Sequence, residues 1–230
     1  MSGTEWESLS DVKSRELLRM TGWLSEVEKD PLAGFLHLIS AEKSAQGELT
    51  KLSLAVLAIY FLLASVGDVS EVSFTFQSIS AELPIYLLTL VASTTLFFWC
   101  QQAQACYTLS NARGLTSAEL HAYGIPADAL SLMKQHSTFF ASFPTPLDAG
   151  NKTVKNLIRI VCAFCIFLFT LPIPYIYFFL LKSQILHVIG SDWGFDSICA
   201  IIGATVLAAS LLYLLLFNLP FPRTEPAPQR

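Results

Sequence analysis

The chain has 230 residues, of which 53% are hydrophobic and 14% are charged, and its formal net charge is -4. Soluble domains carry about a quarter charged residues, so this composition excludes an ordinary soluble protein and predicts an integral membrane protein. The acidic balance and the scattered basic residues also exclude nucleic acid as a partner, because phosphate binding needs clustered Lys and Arg.

The first 51 residues contain nine acidic and six basic side chains and lack the apolar stretch of a signal peptide. They predict two short amphipathic helices, the second opened by Asp30 and Pro31. The first has apolar residues at helical spacing, among them Trp23, Leu24 and Val27. This apolar face either docks a partner, through Trp23 and Leu24, or packs against the protein's own cytoplasmic portion, and packing is the more common outcome.

Four apolar runs are long enough to cross a hydrocarbon layer of about 30 Å as helices. They cover residues 52–67, 84–100, 157–181 and 198–217. Arg159 is the only charged residue inside these runs, which disfavours an ion-coupled transporter. We therefore predict an all-α integral membrane protein with four transmembrane helices and a small helical cytoplasmic portion.

The domain organisation follows from these runs. Two transmembrane hairpins, 52–100 and 156–218, are separated by a helical loop, 101–155, and flanked by the N-terminal segment, 1–51, and a Pro-rich tail, 219–230. The tail is expected to be extended and disordered.

Basic residues predict the orientation, because Lys and Arg near short loops resist translocation. With four spans, 13 of the 14 basic residues fall on one side, and only Lys182 falls on the other. Both termini are therefore expected in the cytoplasm, most simply at a plasma (inner) membrane. A glycosylation sequon at Asn151 to Thr153 would contradict this orientation, but its neighbours Lys152 and Lys155 favour the cytoplasm.

Local patterns predict structure between the spans. Thr116 to Glu119 has the spacing of a capping box and predicts a helix start, and Gly124 to Pro126 predicts a turn. In the first external loop, Val72, Phe74 and Phe76 alternate with polar residues, which is typical of a short strand or an interfacial segment.

Catalytic and metal-binding motifs are not found in the sequence. The four histidines are scattered, and no phosphate-binding, dinucleotide or nucleophile motif occurs. Cys162 and Cys165 form a C-x-x-C pair inside the third predicted span, where packing is a better explanation than redox or metal chemistry. Pro172 and Pro174 break that span, and a kink covered by neighbouring helices is favoured over a cavity. We predict no enzyme activity, no cofactor and no metal.

Two features of the spans predict contacts. Small residues of the fourth span form a stripe that lets another helix approach closely, either within this chain or from another protomer. The stripe consists of Ala200, Gly203, Ala204 and Ala208. Ser93, Thr94 and Thr95 give the second span a polar patch that either lines a wet pore or bonds to the preceding turn of its own helix.

Two functions fit these features best. The first is a structural or regulatory subunit of a membrane complex, which needs no catalytic residues. The alternative is a homo-oligomeric pore, channel or membrane-perturbing effector gated by its cytoplasmic portion. The expected partners are the lipid bilayer and another membrane protein or copies of the chain itself.

Overall fold

The computed structural model describes residues 6–30, 32–66, 71–76, 79–126, 129–130, 153, 156–157, 160, 172–190 and 194–222. Within these residues five helices have defined bounds: α1 (Leu9–Glu28), α2 (Ala33–Val66), α3 (Ile85–Ala122), α4 (Pro172–Gly190) and α5 (Phe195–Asn218). Four short strands accompany them: β1 (Trp6–Glu7), β2 (Glu71–Phe76), β3 (Ile79–Pro84) and β4 (Phe221–Pro222).

Helix α1 has well-defined ends. The hydroxyl of Ser8 accepts a hydrogen bond from the backbone N–H of Asp11, and the Asp11 carboxylate accepts one from the backbone N–H of Ser8. This reciprocal capping box satisfies N–H groups that have no partner inside the helix. At the other end Lys29 adopts a left-handed backbone conformation, with φ of 53°, and the chain then turns into α2.

Helices α2 and α3 are longer than the apolar runs that predicted them. Helix α2 joins the second predicted N-terminal helix to the first span without a break. Helix α3 continues from the second span to Ala122. The helix start predicted at Thr116 is wrong, because Thr116 lies inside α3 and its hydroxyl donates to the carbonyl of Ala112. The predicted turn is confirmed, since α3 ends there and Gly124 has a positive φ of 92°.

Helix α4 covers the C-terminal part of the third predicted span and extends beyond its predicted end. It begins at Pro172, where the missing N–H is harmless, and continues through Lys182 to Gly190. The sequence predicts an external loop from Lys182 to Asp196 between the third and fourth spans, but residues 182–190 of this segment are helical. A single lysine does not end a helix, because its long side chain carries the charge away from the axis. Most of the run before Pro172, including Cys162 and Cys165, lies outside the described residues.

The strands form two antiparallel pairs. Strands β2 and β3 make a hairpin in which Glu71 lies opposite Pro84 and Phe76 lies opposite Ile79, so the first of the two alternatives for the alternation, a short strand, is confirmed. Strand β1 pairs with β4, with Trp6 opposite Pro222. The first residues of the tail are therefore an ordered edge strand, where proline is tolerated. Residues 223–230 lie outside the described part of the chain.

The chain divides into two compact units. The first contains the described residues within Met1–Glu48, Gln102–Phe143 and Leu212–Arg230, and the second those within Leu49–Gln101 and Pro144–Leu211. The first unit has a small core of Phe35, Ile39, Leu120 and Leu130. The second has a larger core, made of Val56, Ala92, Leu96, Ile173, Ile176, Tyr177, Leu180 and Leu207.

Helices α2 to α5 are each long and apolar enough to cross a membrane. Helices α4 and α5 also leave many large apolar side chains uncovered, which would be unfavourable in water and is expected in lipid. These include Phe178, Phe179, Ile185, Leu186, Ile201, Ile202, Leu211, Leu212, Leu215 and Leu216. The chain is an all-α, multi-pass integral membrane protein.

Candidate functional site

The predicted polar patch of α3 is bonded to its own helix. Ser93, Thr94 and Thr95 each donate a hydroxyl hydrogen bond to the carbonyl four residues earlier, at 2.8 to 2.9 Å. Ser93 is also fully buried. The structure thus shows these hydroxyls bonded to the preceding turn of their own helix, which is one of the two alternatives. Their role as pore lining stays a prediction.

Gln184 of α4 reaches this patch from the neighbouring helix. Its Nε2 donates to the hydroxyl of Ser93 at 2.7 Å and lies 3.4 Å from the carbonyl oxygen of Thr89. The residue is 2% exposed, and its Oε1 has no hydrogen-bond partner within the described residues. Hydrogen bonds between helices in an apolar layer contribute about 0.6 to 2 kcal/mol each. Gln184 is therefore a polar link between α3 and α4.

The small-residue stripe of α5 meets the same glutamine. Gly203 is buried, and a Cβ atom added there would lie 2.9 Å from Cδ of Gln184. Ala200 is also buried, whereas Ala204 is half-buried and Ala208 is exposed. The contact face of α5 thus follows Ala200, Gly203 and Leu207 and leaves Ala208 outside. Two features predicted separately, the stripe and the patch, converge on Gln184.

We expect Gly203→Ala to destabilise the second unit by about 1–2 kcal/mol, because the added methyl group displaces the Gln184 amide and breaks its bond to Ser93. Thermal unfolding of the purified chain in detergent measures the loss. Gly114→Ala is the matched control, since nothing lies within 4 Å of a Cβ atom at that position.

The same contact predicts a specific non-additivity. In a Gln184→Ala background the amide is gone, so adding Gly203→Ala should cost little more. If Gly203→Ala costs the same with and without Gln184, the Gln184 amide is not what the methyl group displaces.

Helix α1 packs through a polar face that its amphipathic pattern does not predict. Its buried residues are the small polar ones, Ser10, Ser14 and Thr21, which share one face. The Ser14 hydroxyl donates to the carbonyl of Thr108 on α3 at 3.3 Å, and the hydroxyl oxygens of Ser10 and Thr108 lie 3.4 Å apart. Because these side chains are small, the backbones of α1 and α3 can approach closely. The large apolar side chains of α1 then lie on its outer side.

The exposed residues of α1 form an apolar surface. Met20, Trp23 and Val27 follow one another at helical spacing and are 61%, 61% and 58% exposed. We call these three residues the α1 outer face. Packing of this apolar face within the protein, which the sequence favoured, is contradicted for Trp23 and Val27. Leu24, predicted beside Trp23 as a docking residue, is half-buried at the edge of this face.

Sequence reasoning missed a buried ion pair in the first unit. The Arg113 guanidinium of α3 donates to the Glu42 carboxylate of α2, and the two residues are 9% and 4% exposed. Arg113 also donates to the hydroxyl of Ser110 at 3.2 Å. The predicted spans carried no such pair because both residues lie on the extensions of α2 and α3 beyond the apolar runs.

The described residues contain no candidate metal site and only one residue of the sequon. No group of three His, Cys, Asp or Glu side chains among the described residues could hold a metal ion. Of the sequon, only Thr153 belongs to the described residues, where it is helical and exposed. Comparison of the chain with protein-family models, with curated proteins and with solved structures finds no match.

Proposed function

We propose that the chain is a structural or regulatory subunit of a membrane complex and that a partner protein docks on the α1 outer face. The observation that carries this proposal is the orientation of α1. A helix that turns its serines and threonine inward and its tryptophan, methionine and valine outward presents apolar surface that another surface is expected to cover. Tryptophan and methionine are also typical of protein interfaces.

The charge of α1 favours a protein over an anionic membrane surface as the occupant. The helix carries three basic residues and four acidic ones. Amphipathic helices that lie on anionic lipid carry an excess of Lys and Arg over acidic residues on the polar face. Helix α1 has no such excess of basic residues. We therefore expect the partner to offer an amphipathic helix whose apolar side packs against Met20, Trp23 and Val27, with mixed charges at its edges.

The alternative, a homo-oligomeric pore, receives less support from the same structure. A pore needs polar groups that remain available to water or ions. The hydroxyls of Ser93, Thr94 and Thr95 already donate to their own helix, and Ser93 also accepts from Gln184. A single chain therefore offers little free polar surface at the predicted lining.

The location in the cell is part of this proposal. The distribution of basic residues favours both termini in the cytoplasm, and a plasma (inner) membrane is the simplest setting. Helix α1 precedes the first spanning helix, so in this orientation its outer face meets cytoplasmic partners or the cytoplasmic part of another membrane protein.

The test is the composition of the complex that is extracted gently from the host membrane. A triple variant, Met20→Ser, Trp23→Ser and Val27→Ser, is expected to remain in the membrane and to lose its companion protein. Each truncation of a buried anchor residue costs about 2 kcal/mol or more in a partner interface, so affinity should fall at least about thirtyfold. Native mass and protein identification of the extract provide the measurement.

Leu36→Ser is the matched control, because Leu36 is an exposed apolar residue of α2 in the same unit and lies outside the α1 outer face. The control should keep the companion. Retention of the companion by the triple variant would contradict docking at this face. An extract that contains only copies of this chain would favour the homo-oligomer instead.

A further inference from the structure

A small cavity lies at the C-terminal end of α5 in the first unit. Its volume is about 200 Å³. It is lined by Lys13 and Leu17 of α1, by Gln104, Ala105, Thr108 and Leu109 of α3, and by Tyr213 and Phe217 of α5. Pockets for drug-sized ligands are about 300–1,000 Å³, so this cavity suits a single small chemical group.

Gln104 gives the cavity an unused hydrogen-bond donor. The residue is 5% exposed, and its Nε2 has no hydrogen-bond partner in the described part of the chain. The orientation of its amide is fixed by Asn218, whose Nδ2 donates to Gln104 Oε1 at 3.2 Å and to the carbonyl of Leu214 at 2.8 Å. A buried donor without an acceptor costs about 1–3 kcal/mol, so an acceptor supplied from outside would be favoured.

Lys13 supplies a positive charge at the same cavity. Its Nζ lies 4.8 Å from the ring centroid of Phe217, which holds the ammonium over the aromatic face. No carboxylate is among the described lining residues. Besides the hydroxyls of Thr108 and Tyr213, the polar lining therefore offers a cation and an unused amide donor, and an acceptor-rich anion is the ligand that satisfies both.

The rest of the lining is mostly apolar, and part of it comes from α3 and α5, which are each long and apolar enough to span a membrane. Leu17, Leu109 and Phe217 border the polar groups, and Phe217 lies in the last turn of α5. Lipid phosphates lie just outside the hydrocarbon layer, at the depth where spanning helices end. Basic pockets at the ends of membrane helices are suited to anionic headgroups.

We propose that this cavity binds a phosphate group through Lys13 and Gln104, and that an anionic phospholipid is its source. The ammonium of Lys13 neutralises the phosphate charge, Gln104 Nε2 donates to a phosphate oxygen, and the apolar lining contacts the glycerol and acyl region. The site is independent of the α1 outer face, so it stands whether or not a partner docks there.

Lipid retention by the full-length chain tests the proposal. The chain is purified in mild detergent, mixed with equal amounts of phosphatidylglycerol and phosphatidylcholine with identical acyl chains, and measured by native mass spectrometry. The wild type should retain phosphatidylglycerol preferentially. Lys13→Met, which keeps an apolar side chain over Phe217, should weaken this retention about tenfold.

A second variant and a control make the result specific. Gln104→Glu keeps an acceptor for Asn218 but replaces the free donor by a carboxylate, so it should weaken retention at least as much. Lys43→Met removes an exposed charge elsewhere in the same unit and should leave retention unchanged. If Gln104→Glu does not fold, Lys13→Met decides the question, because Lys13 is an exposed residue.

The outcomes separate the two sources of phosphate. If millimolar inorganic phosphate displaces the lipid and binds alone to the wild type but not to Lys13→Met, the site binds free phosphate. If inorganic phosphate has no effect, the lipid headgroup is the ligand. Equal retention of both lipids by the wild type, or unchanged retention in Lys13→Met, overturns the proposal.

Discussion

Replacing Arg113 with methionine is expected to lower the free energy of unfolding of the first unit by about 3–5 kcal/mol. The substitution removes the guanidinium that neutralises Glu42 and leaves a carboxylate that is 4% exposed without its partner. Methionine keeps much of the apolar stem, so the loss reports the charge rather than a cavity. Thermal or denaturant unfolding in detergent measures it.

The double variant Glu42→Met and Arg113→Met is the control for this effect. Replacing both members of a buried ion pair by apolar groups of similar size is often close to neutral, so the double variant should recover most of the lost stability. If the double variant is as unstable as Arg113→Met alone, the cost does not come from the unpaired carboxylate.

Gly34→Ala is expected to detach α1 from the start of α2 and to cost about 1–3 kcal/mol. A Cβ atom at Gly34 would lie 2.7 Å from Cβ and 2.8 Å from the carbonyl carbon of Thr21. Backbone atoms cannot rotate away, so the helix must move. The backbone N–H of Gly34, which donates to the hydroxyl of Ser25 at 3.3 Å, would lose that bond as well.

The measurement for Gly34→Ala is thermal stability together with limited trypsin cleavage at Lys29, in the turn between the two helices. Cleavage should become faster when α1 separates. Gly47→Ala is the matched control in the same helix, because nothing lies within 4 Å of a Cβ atom there. It should leave cleavage unchanged and raise stability by up to about 1 kcal/mol through helix propensity. Equal effects of the two variants would contradict the tight contact at Thr21.

The number of membrane-type helices could be predicted from the sequence, because a run of apolar residues of sufficient length has few other uses. The ends of those helices could not be predicted from it. Hydropathy marks where lipid ends, and a helix continues into water wherever its residues are good helix formers. The stretch from Ala41 to Lys51, rich in Ala, Glu, Lys and Gln, lets α2 run unbroken through the boundary predicted at residue 51.

The polar inward face of α1 could not be predicted from its amphipathic pattern, for a physical reason. Amphipathic patterns assume that burial follows hydrophobicity. At α1 the distance between backbones decides instead, since Gly34 touches Thr21, and Ser14 bonds to the Thr108 carbonyl. One sequence signal could have indicated this packing. Serine and threonine recur along one face of α1, at Ser10, Ser14 and Thr21, and Gly34 follows just after the turn into α2.

The candidate site in the second unit was predicted in part. The sequence predicts the Ser93 patch and the Gly203 stripe, but it predicts a loop at Gln184, which contacts both, because the third apolar run ends just before Lys182. A polar amide among apolar residues, three positions before a histidine that pairs with Asp196, is visible in the sequence. Only the three-dimensional contacts show that it faces inward.

The pairing of β1 with β4 has a consequence for biosynthesis. The first unit draws on segments from both ends of the chain, since Trp6 lies opposite Pro222 and the Gln104 amide accepts from Asn218. A ribosome releases α1 long before it has made Asn218 or strand β4, so this unit can only be completed after the last helix has been inserted. During that interval α1 lacks its C-terminal neighbours, so the α1 outer face is available to the proposed partner before the first unit is complete.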